Sequence, residues 1–192
     1  MKKAIALAAV AGLAGAASAQ FTINISANVT TANPSDVIVW TVSVTGSFGG
    51  ADYVQGYDLN LIASDAGLGT AGTFTNNLNP VVGATAGTPA GASLLGASGG
   101  QSSILGVPVL GPIVIGTFTV HADNAGFLSY SISDGGKLAL TNVLQIKPGS
   151  DFAPDTWNGL PNVSSDTVEI TPTPASAALL GLGGLVATRR RR

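Results

Sequence analysis

Strict alternation of apolar and polar residues is the feature that most constrains how this chain folds. From Phe21 to Val29 every second residue is apolar, and the residues between them are Thr, Asn or Ser. Side chains two residues apart lie on the same face of a strand, so the pattern predicts strands with one buried face. The predicted strands are Phe21–Val29, Val37–Val44, Tyr53–Ile62, Ile113–Val120, Phe127–Ser133, Lys137–Ile146 and Val163–Ile170. The residues predicted to share a buried face are Ile38, Trp40, Val42 and Val44 in the second strand, and Tyr57, Leu59 and Leu61 in the third.

Turn sequences separate the predicted strands. Residues that favour turns occur together in Asn33–Asp36, Asp123–Gly126 and Asp134–Gly136. No segment between residues 20 and 170 shows a strong 3.6-residue period. We therefore predict an all-β domain over residues 20–170, folded as an antiparallel sandwich of two sheets. Gly83–Ser103 is rich in Gly, Ala and Ser and is predicted to be a long surface loop.

The first 19 residues have the three parts of a secretory signal peptide. Lys2 and Lys3 form the basic start, and Ala4–Ala16 forms the apolar stretch. Ala17 and Ala19 flank a serine in a small-residue cleavage site. We therefore expect a signal helix, export by the secretion machinery, and a mature chain that begins near Gln20.

Residues 171–192 have the order of a membrane sorting tail. The tail consists of the motif Pro172, Thr173, Pro174, Ala175 and Ser176, the apolar run Ala177–Ala187, and the basic residues Arg189, Arg190, Arg191 and Arg192. An arginine cluster beside an apolar run stays on the cytoplasmic side, which leaves the domain outside. A bilayer span needs about 20 apolar residues, so this shorter apolar helix predicts a weak or temporary anchor. We expect cleavage near Pro172–Ser176.

These tail residues resemble the PEP-CTERM sorting signal in the form seen in planctomycete-like bacteria. That family carries a Pro-Glu-Pro-type motif, a hydrophobic helix and a basic end, and Thr173 stands where the glutamate would be. The resemblance implies processing by an exosortase acting as a sorting protease or transpeptidase. It also implies a protein held at the outer side of a membrane, at the cell surface, or released outside the cell.

Charge and cysteine content exclude several classes of function. From Phe21 to Thr171 two lysines stand against ten carboxylates, a net charge of −8. Nucleic-acid phosphates are bound by Lys and Arg, so we expect no nucleic-acid partner. The chain has no cysteine, which excludes disulfides, thiolate nucleophiles and cysteine-bound zinc.

Two glycine-rich segments match short functional motifs without their structural context. Gly96–Gly100 matches G-x-S-x-G, which requires a strand before the serine and a helix after it. Gly67–Gly72 matches G-x-G-x-x-G, which requires a βαβ unit. Neither segment is followed by a predicted helix. We expect both matches to be accidents of glycine content, and we predict no catalytic residue and no cofactor.

Titratable residues offer little for catalysis. A serine triad would have to use His121, the only histidine, with Asp123 two residues along the same strand, where it cannot easily orient the ring. Glu169 is the only glutamate, and most aspartates fall in turns. We therefore predict no enzyme. Calcium needs only oxygen ligands, and its loop candidates are Asp123, Asn124, Asp134 and Asp151.

Three segments of the domain resemble cohesin-like and related carbohydrate-binding sandwiches. They are SANVTTANPSDVIVWTVSVTG, YVQGYDLNLIASDAG and IGTFTVHADNAGFLSYSIS, in this order along the chain. In that pattern Asp65 matches the family's aspartate, and Ser64 stands where an aromatic residue is common. The resemblance implies a sandwich of cohesin-like or jelly-roll type.

Two functions remain open. The first is a structural or binding role at the cell surface or in the extracellular matrix, with another surface protein or a polysaccharide as partner. The alternative is a carbohydrate-binding module that would use Trp40, Tyr53, Tyr57 and Trp157. The alternation predicts that Trp40 and Tyr57 lie in the core, and Trp157 either stacks on a sugar or packs under the last strand.

Overall fold

The computed structural model describes residues 21–46, 52–78, 82–101, 113–136, 143–148 and 157–172. These ranges contain fifteen strands and one 3-10 helix, Ala66–Leu68. The strands are β1 Phe21–Ala27, β2 Thr31–Ala32, β3 Val37–Gly46, β4 Asp52–Ala63, β5 Gly69–Ala71, β6 Thr75–Asn76, β7 Val82–Ala90, β8 Ser93–Gly100, β9 Ile113–Ala122, β10 Gly126–Leu128, β11 Tyr130–Asp134, β12 Leu144–Pro148, β13 Trp157–Gly159, β14 Asn162–Ser165 and β15 Val168–Ile170.

The strands form two large sheets and one small sheet. The first sheet has the order β14-β1-β3-β9-β5, with β6 also paired to β9. The second has the order β13-β12-β4-β8-β7, with β11 also paired to β4, and the small sheet has the order β10-β15-β2. Two pairs are parallel, β1 with β14 and β2 with β15, and the other pairs are antiparallel. The predicted sandwich is confirmed, with these two parallel pairs as a departure.

Alternation along the central strands produces the core. In β3 the side chains of Ile38, Trp40, Val42 and Val44 are fully buried, and in β4 those of Tyr57, Leu59 and Leu61 are buried, as predicted. Each fully buried side chain of this size contributes about 1.5–3 kcal/mol of transfer free energy. The two inner faces therefore form one continuous apolar layer between the sheets.

Three aromatic rings connect the sheets at one side of the core. Trp40 and its cross-strand neighbour Phe118 stack in the first sheet, with ring centroids 6.4 Å apart. Tyr130 of the second sheet meets both edge-on, at 4.8 Å from Trp40 and 5.2 Å from Phe118. The Tyr130 hydroxyl donates to the Ala92 carbonyl over 2.7 Å, and burial raises the pKa of this phenol. The ring is thus held in place by packing and by a buried hydrogen bond.

A second connection between the sheets passes through Tyr57. Asn76 of β6 donates its amide to the Tyr57 hydroxyl, and the Tyr57 ring lies 5.8 Å from the ring of Phe74. Phe74 occupies the space beside Gly116, where a Cβ would overlap the phenyl ring. Gly99 leaves similar room for the Tyr57 hydroxyl and the Asn76 amide. Two glycines on opposite sheets therefore make space for this connection.

The loop predicted over Gly83–Ser103 is wrong. Most of this segment is a hairpin, in which β7 and β8 pair across a turn at Gly91–Ala92. Small residues are required because neighbouring groups approach closely: a Cβ at Gly100 would overlap the Gln55 carbonyl, and one at Gly91 would overlap the Ala66 carbonyl. The Gly, Ala and Ser residues, which suggested a loop, instead allow close packing of this hairpin against its neighbours.

Two other predicted strands are each divided between sheets. Phe127–Ser133 contains β10 in the small sheet and β11 in the second sheet, separated at Ser129. Val163–Ile170 contains β14 in the first sheet and β15 in the small sheet. In both places the chain leaves one sheet and joins another. Leu128 and Tyr130 are buried on either side of the first change, whereas in the second segment β15 buries Val168 and Ile170 and β14 has no buried residue.

Several predictions fall wholly or partly outside the described ranges. These are the signal peptide with Ala17 and Ala19, the tail from Thr173 to Arg192, and residues 137–142 of the predicted strand Lys137–Ile146. β12 covers part of that last prediction. Among the described residues there is no helix with the length and apolarity needed to cross a bilayer.

Gly116→Ala should destabilise the fold by about 1–3 kcal/mol, because the added methyl group would overlap the Phe74 ring. Urea denaturation measures the loss, with the exposed Thr119→Ala on the same strand as control. In a Phe74→Ala background the overlap with the ring is removed, but the added methyl group would still lie 2.6 Å from the Thr75 carbonyl oxygen, so the cost of Gly116→Ala should fall without disappearing. An equal cost in both backgrounds would contradict this account of the packing.

Candidate functional site

A β-bulge in the second sheet organises a polar surface patch. β8 places two residues, Leu95 and Gly96, opposite the single residue Asn60 of β4. Gly96 has φ of 69°, a left-handed conformation that glycine adopts without strain. The bulge turns the Gly96 amide toward Asn60 Oδ1, which accepts its hydrogen over 2.8 Å. Bulges of this kind redirect groups within a strand, and here the amide is directed to a side chain.

Asn60 also connects β4 to the neighbouring strand β11. Its Nδ2 donates to the Asp134 carbonyl over 2.7 Å and to the Ser133 hydroxyl over 3.3 Å. With Oδ1 bonded to Gly96, this one side chain bridges β8, β4 and β11. Its amide is therefore held in one orientation.

Hydroxyl groups continue the network toward β7. Thr85 Oγ1 lies 2.6 Å from Ser98 Oγ and donates to the Gly96 carbonyl over 2.9 Å. Leu95, 39% exposed, adds an apolar side chain beside these polar groups. We name the outward side of the second sheet the asparagine face; it comprises Asn60, Ile62, Thr85, Thr88, Leu95, Ser98, Ser131 and Ser133.

Asp58 is two residues before Asn60 on the same side of β4, but it is fully buried. It lies where β11 ends and β12 begins along one edge of β4, and its amide donates to the Val143 carbonyl over 3.0 Å. A Cβ on Gly135 would overlap its carboxylate, so the chain after β11 passes directly over it. Asp58 is therefore covered, and the accessible part of the asparagine face begins at Asn60.

The outward side of the first sheet has a different character. We name it the threonine face; it comprises Thr22, Asn24, Ser26, Val37, Val39, Thr41, Ser43, Thr45, Thr70, Thr75, Val114, Thr117, Thr119, His121, Asn162 and Ser164. His121 is the one titratable residue among them. Thr41 and Thr117 are cross-strand neighbours near its centre. Within the described ranges, their hydroxyls make no hydrogen bond.

His121, Asp123 and Thr70 form a small polar cluster at one end of the threonine face. His121 Nδ1 lies 2.8 Å from Asp123 Oδ1, and Thr70 donates to Asp123 Oδ2 over 2.9 Å. Both partners of the pair are exposed, at 50% and 40%. The hydrogen bonds from His121 and then from Thr70 lower the pKa of the Asp123 carboxyl. The threonine hydroxyl binds the carboxylate and not the imidazole, so the cluster lacks the order of a nucleophile–base–acid triad.

Both glycine motifs have packing roles. In Gly96–Gly100, Gly96 forms the bulge, Ser98 pairs with Thr85, and Gly99 makes room for Tyr57, all within β8 and on a different sheet from His121. In Gly67–Gly72, a Cβ at Gly69 would lie 2.8 Å from Val120 Cγ1, and one at Gly72 would lie 2.6 Å from Thr119 Oγ1. These glycines let β5 approach β9. Close packing therefore accounts for the glycines of both segments.

The calcium candidates that the structure describes, Asp123, Asn124 and Asp134, are not brought together as one group. Asp123 binds His121 and Thr70, and Asn124 donates to the Gly67 carbonyl over 2.7 Å. Asp134 lies opposite Leu59 on the second sheet, and Asp151 lies outside the described residues. Across the described ranges, no three His, Asp or Glu side chains form a group that could hold a metal ion.

Most aromatic residues considered for sugar binding are buried. Trp40, Tyr53 and Tyr57 have at most 1% exposure, and Trp157 is placed only by its backbone, as the first residue of β13. Among the described aromatic residues, Phe127 in the small sheet is the exposed one, at 64%. Glu169 lies beside it, in register on β15. A platform of several rings is therefore not formed by these residues.

Sequence reasoning missed Asn60 and Thr85. Both were counted within strand or loop patterns, and neither belongs to a motif. The signal available in the sequence was Gly96, because a glycine inside a strand often marks a bulge. Asp65, matched to the cohesin-like pattern, caps the 3-10 helix by accepting from the Gly67 amide over 2.8 Å.

Solved structures of cohesin domains are similar to this chain. The third cohesin of ScaC, in complex with the ScaB dockerin from Acetivibrio cellulolyticus, has a TM-score of 0.52 at 9% identity, covering 78% of this chain and 98% of that chain. The second type II cohesin module of the adaptor scaffoldin ScaA of the same organism has a TM-score of 0.51 at 10% identity, with 82% and 95% covered. No protein-family model and no curated protein matches the chain. The likeness shows a cohesin-like β-sandwich fold.

Asn60→Ala should destabilise the protein by about 1–3 kcal/mol, because the Gly96 amide and the Asp134 carbonyl would lose their partner. The control is Asn77→Ala, an exposed asparagine whose side chain makes no hydrogen bond within the described ranges. Thermal unfolding of both variants measures the difference. Equal, small effects would show that the Asn60 network does not hold the face together.

The Asp123 pair predicts a pH dependence of stability. The pKa of the Asp123 carboxyl is lowered in the folded state. The hydrogen-bonded carboxylate therefore stabilises the fold at pH values above the unfolded pKa of about 3.9, and this stabilisation is lost as pH falls through the folded pKa. Asp123→Asn should therefore lower the urea midpoint at pH 6, and the difference from the unsubstituted protein should shrink as pH falls below the unfolded value. Glu169→Gln is the control. A constant difference at all pH values would contradict this linkage.

Proposed function

We propose that this protein is an exported, non-catalytic surface module that binds a partner protein through its asparagine face. The observation that carries the proposal is the rigid network around Asn60, where a bulge and one amide join three strands. A preorganised polar patch loses little side-chain entropy when a partner binds. Leu95, 39% exposed beside the network, supplies apolar area for the contact.

The chemistry of the face supports a protein partner. Serine and threonine hydroxyls can both donate and accept hydrogen bonds, so the face can pair with backbone and side-chain groups of a second protein. The ScaC cohesin with the same fold is in complex with a dockerin, a protein module. By analogy of fold, the partner here is a second protein that binds the asparagine face.

The alternative of a carbohydrate-binding module has less support. Sugar rings stack on exposed aromatic side chains, and here Trp40, Tyr53 and Tyr57 lie inside the sandwich. Their rings connect the two sheets. The alternative would then depend on Trp157 and Phe127.

The absence of catalysis is part of the proposal. His121 and Asp123 are exposed and form a hydrogen-bonded pair. Among the described residues, no serine or threonine hydroxyl is bonded to the His121 ring. Ser98, the serine of the G-x-S-x-G match, is bonded to Thr85 within the second sheet, whereas His121 lies on the first sheet. These observations support a binding role over an enzymatic one.

Export and sorting rest on the sequence. The signal-peptide pattern with Ala17 and Ala19 and the tail from Pro172 to Arg192 support a domain on the outer side of the membrane. β15 ends at Ile170, and the Thr171 amide continues its pairing by donating to the Ala32 carbonyl over 2.9 Å. The domain therefore remains ordered up to the start of the sorting motif, and cleavage after it would leave the small sheet intact.

Partner binding can be tested with matched surface variants of the full chain. The immobilised protein is exposed to exported proteins of its source cell, and bound proteins are quantified by mass spectrometry. A specific partner should be captured by the unsubstituted chain and by Thr119→Lys on the threonine face, but at least about tenfold less by Leu95→Lys. A partner retained equally by both variants would rule out the asparagine face as its site.

The mature form of the native protein tests export and sorting. Mass spectrometry should find a chain that begins near Gln20 and ends near Pro174, because both ends carry removable addressing segments. A chain that still carries Arg192 would contradict processing and leave membrane anchoring by the tail. Replacement of Arg189–Arg192 by neutral residues should impair retention before cleavage.

A further inference from the structure

Phe127 is the most exposed large apolar side chain in the described ranges, at 64%. Its strand is held on both sides: β10 pairs with β15, and the Ser64 hydroxyl donates to the Phe127 carbonyl over 2.9 Å. The next residue, Leu128, is fully buried, so the Phe127 ring faces outward from a fixed backbone. Single exposed rings are common at protein surfaces, so the significance of this ring depends on its neighbours.

The outward side of the small sheet places a carboxylate directly beside this ring. Glu169 of β15 is the cross-strand neighbour of Phe127, and Thr31 of β2 is the next residue across. Residues paired in this way lie on the same side of a sheet, with Cβ atoms about 5 Å apart. Within the described residues, the exposed Glu169 carboxylate makes no hydrogen bond and no ion pair. We name the surface of Thr31, Phe127 and Glu169 the small-sheet face.

Further carboxylates lie around the small-sheet face. Asp65 follows Ser64, which contacts β10, Asp166 lies two residues before β15, and Asp36 accepts from the turn that follows β2. Lys147 is the one lysine or arginine in the described ranges, and its strand β12 pairs with the first residues of β4. β10 lies beyond the other end of β4, a distance of about 35 Å along the strand and several screening lengths. The negative potential at this end therefore has no positive counterpart close to it.

An arginine side chain matches the ring and the carboxylate together. A guanidinium is planar, so it can stack on an aromatic face while its N–H groups donate to a carboxylate. Stacking places the cation within about 6 Å of the ring centroid, and the cross-strand spacing of about 5 Å brings both contacts within reach of one guanidinium. A lysine ammonium is strongly hydrated and has no flat surface to stack. A neutral sugar gains nothing from the surrounding negative charge.

We propose that the small-sheet face binds an arginine-bearing segment of a second protein. The Phe127 ring contacts the guanidinium face, and Glu169 accepts its hydrogen bonds. The carboxylates of Asp36, Asp65 and Asp166 attract the cation and raise the rate of encounter. All of these groups are accessible to solvent, so the binding is weak and is reduced by salt.

This binding is separate from the partner binding proposed for the asparagine face, because the two surfaces belong to different sheets. It does not rest on that proposal. Loss of arginine binding leaves capture of a partner by the asparagine face intact, and the reverse result is equally distinguishable.

Titration of the isotope-labelled full chain with tetra-arginine amide, followed by nuclear magnetic resonance, tests the site. Arg189–Arg192 are replaced by glutamine in this chain, so that its own arginines do not compete. The largest shifts should occur at the amides of Thr31, Phe127 and Glu169. Phe127→Ala and Glu169→Gln should each weaken binding by about threefold or more, whereas Phe127→Tyr, which keeps the ring, should bind as the parent chain does.

Matched variants separate this site from general attraction to an acidic protein. Leu160→Ala removes another exposed apolar side chain, 61% exposed, and Asp134→Asn removes a carboxylate of the second sheet. Both should leave binding unchanged, and equal weakening by Asp134→Asn and Glu169→Gln would overturn the proposal. Circular dichroism confirms that each variant is folded.

Other probes identify the chemistry that is recognised. Tetra-citrulline amide has the same shape without charge and should not bind, and tetra-lysine amide should bind at least about threefold more weakly than tetra-arginine amide. Equal affinity for either of them would contradict recognition of the guanidinium. Binding of a neutral gluco-oligosaccharide that Phe127→Ala abolished would also overturn the proposal, because the occupant would then be a polysaccharide.

Discussion

The contact of Tyr57 with Asn76 and Phe74 is the interaction on which the two sheets depend. It brings a hydroxyl, an amide and two rings together in a largely apolar core. Burial raises the pKa of the Tyr57 phenol, and the hydrogen bond from Asn76 opposes that rise in part. Gly99 and Gly116 provide the space, one from each sheet. Because the inner sides are fixed in this way, the outer sides are rigid surfaces.

A rigid outer surface supports the partner binding proposed for the asparagine face. The asparagine face is specific, since its groups are held by the bulge at Gly96 and by one bridging amide. The threonine face is regular and uncharged, and its central hydroxyls have no partner within the described residues. A site of the first kind selects a partner by hydrogen-bond geometry.

The sequence was sufficient for the sandwich and its core but not for the candidate site. Alternation identified the buried faces of β3 and β4, including Trp40 and Tyr57, because burial of one strand face leaves a direct mark on residue order. The hairpin of β7 and β8 was missed, because its glycines serve contacts with residues distant in sequence, such as Gln55. Asn60 was missed for the same reason: its role depends on Gly96, 36 residues later in the chain.

The central claim is that the aromatic residues hold the sheets together and are not a binding surface. Titration of the three tyrosines by ultraviolet absorbance in the folded full chain tests this most directly. Burial raises the pKa of Tyr57 and Tyr130, so at least two of the three phenols should remain un-ionised at pH 11 until the protein unfolds. Ionisation of two or more tyrosines near pH 10 in the folded protein would contradict the claim, because it would place these rings in solvent.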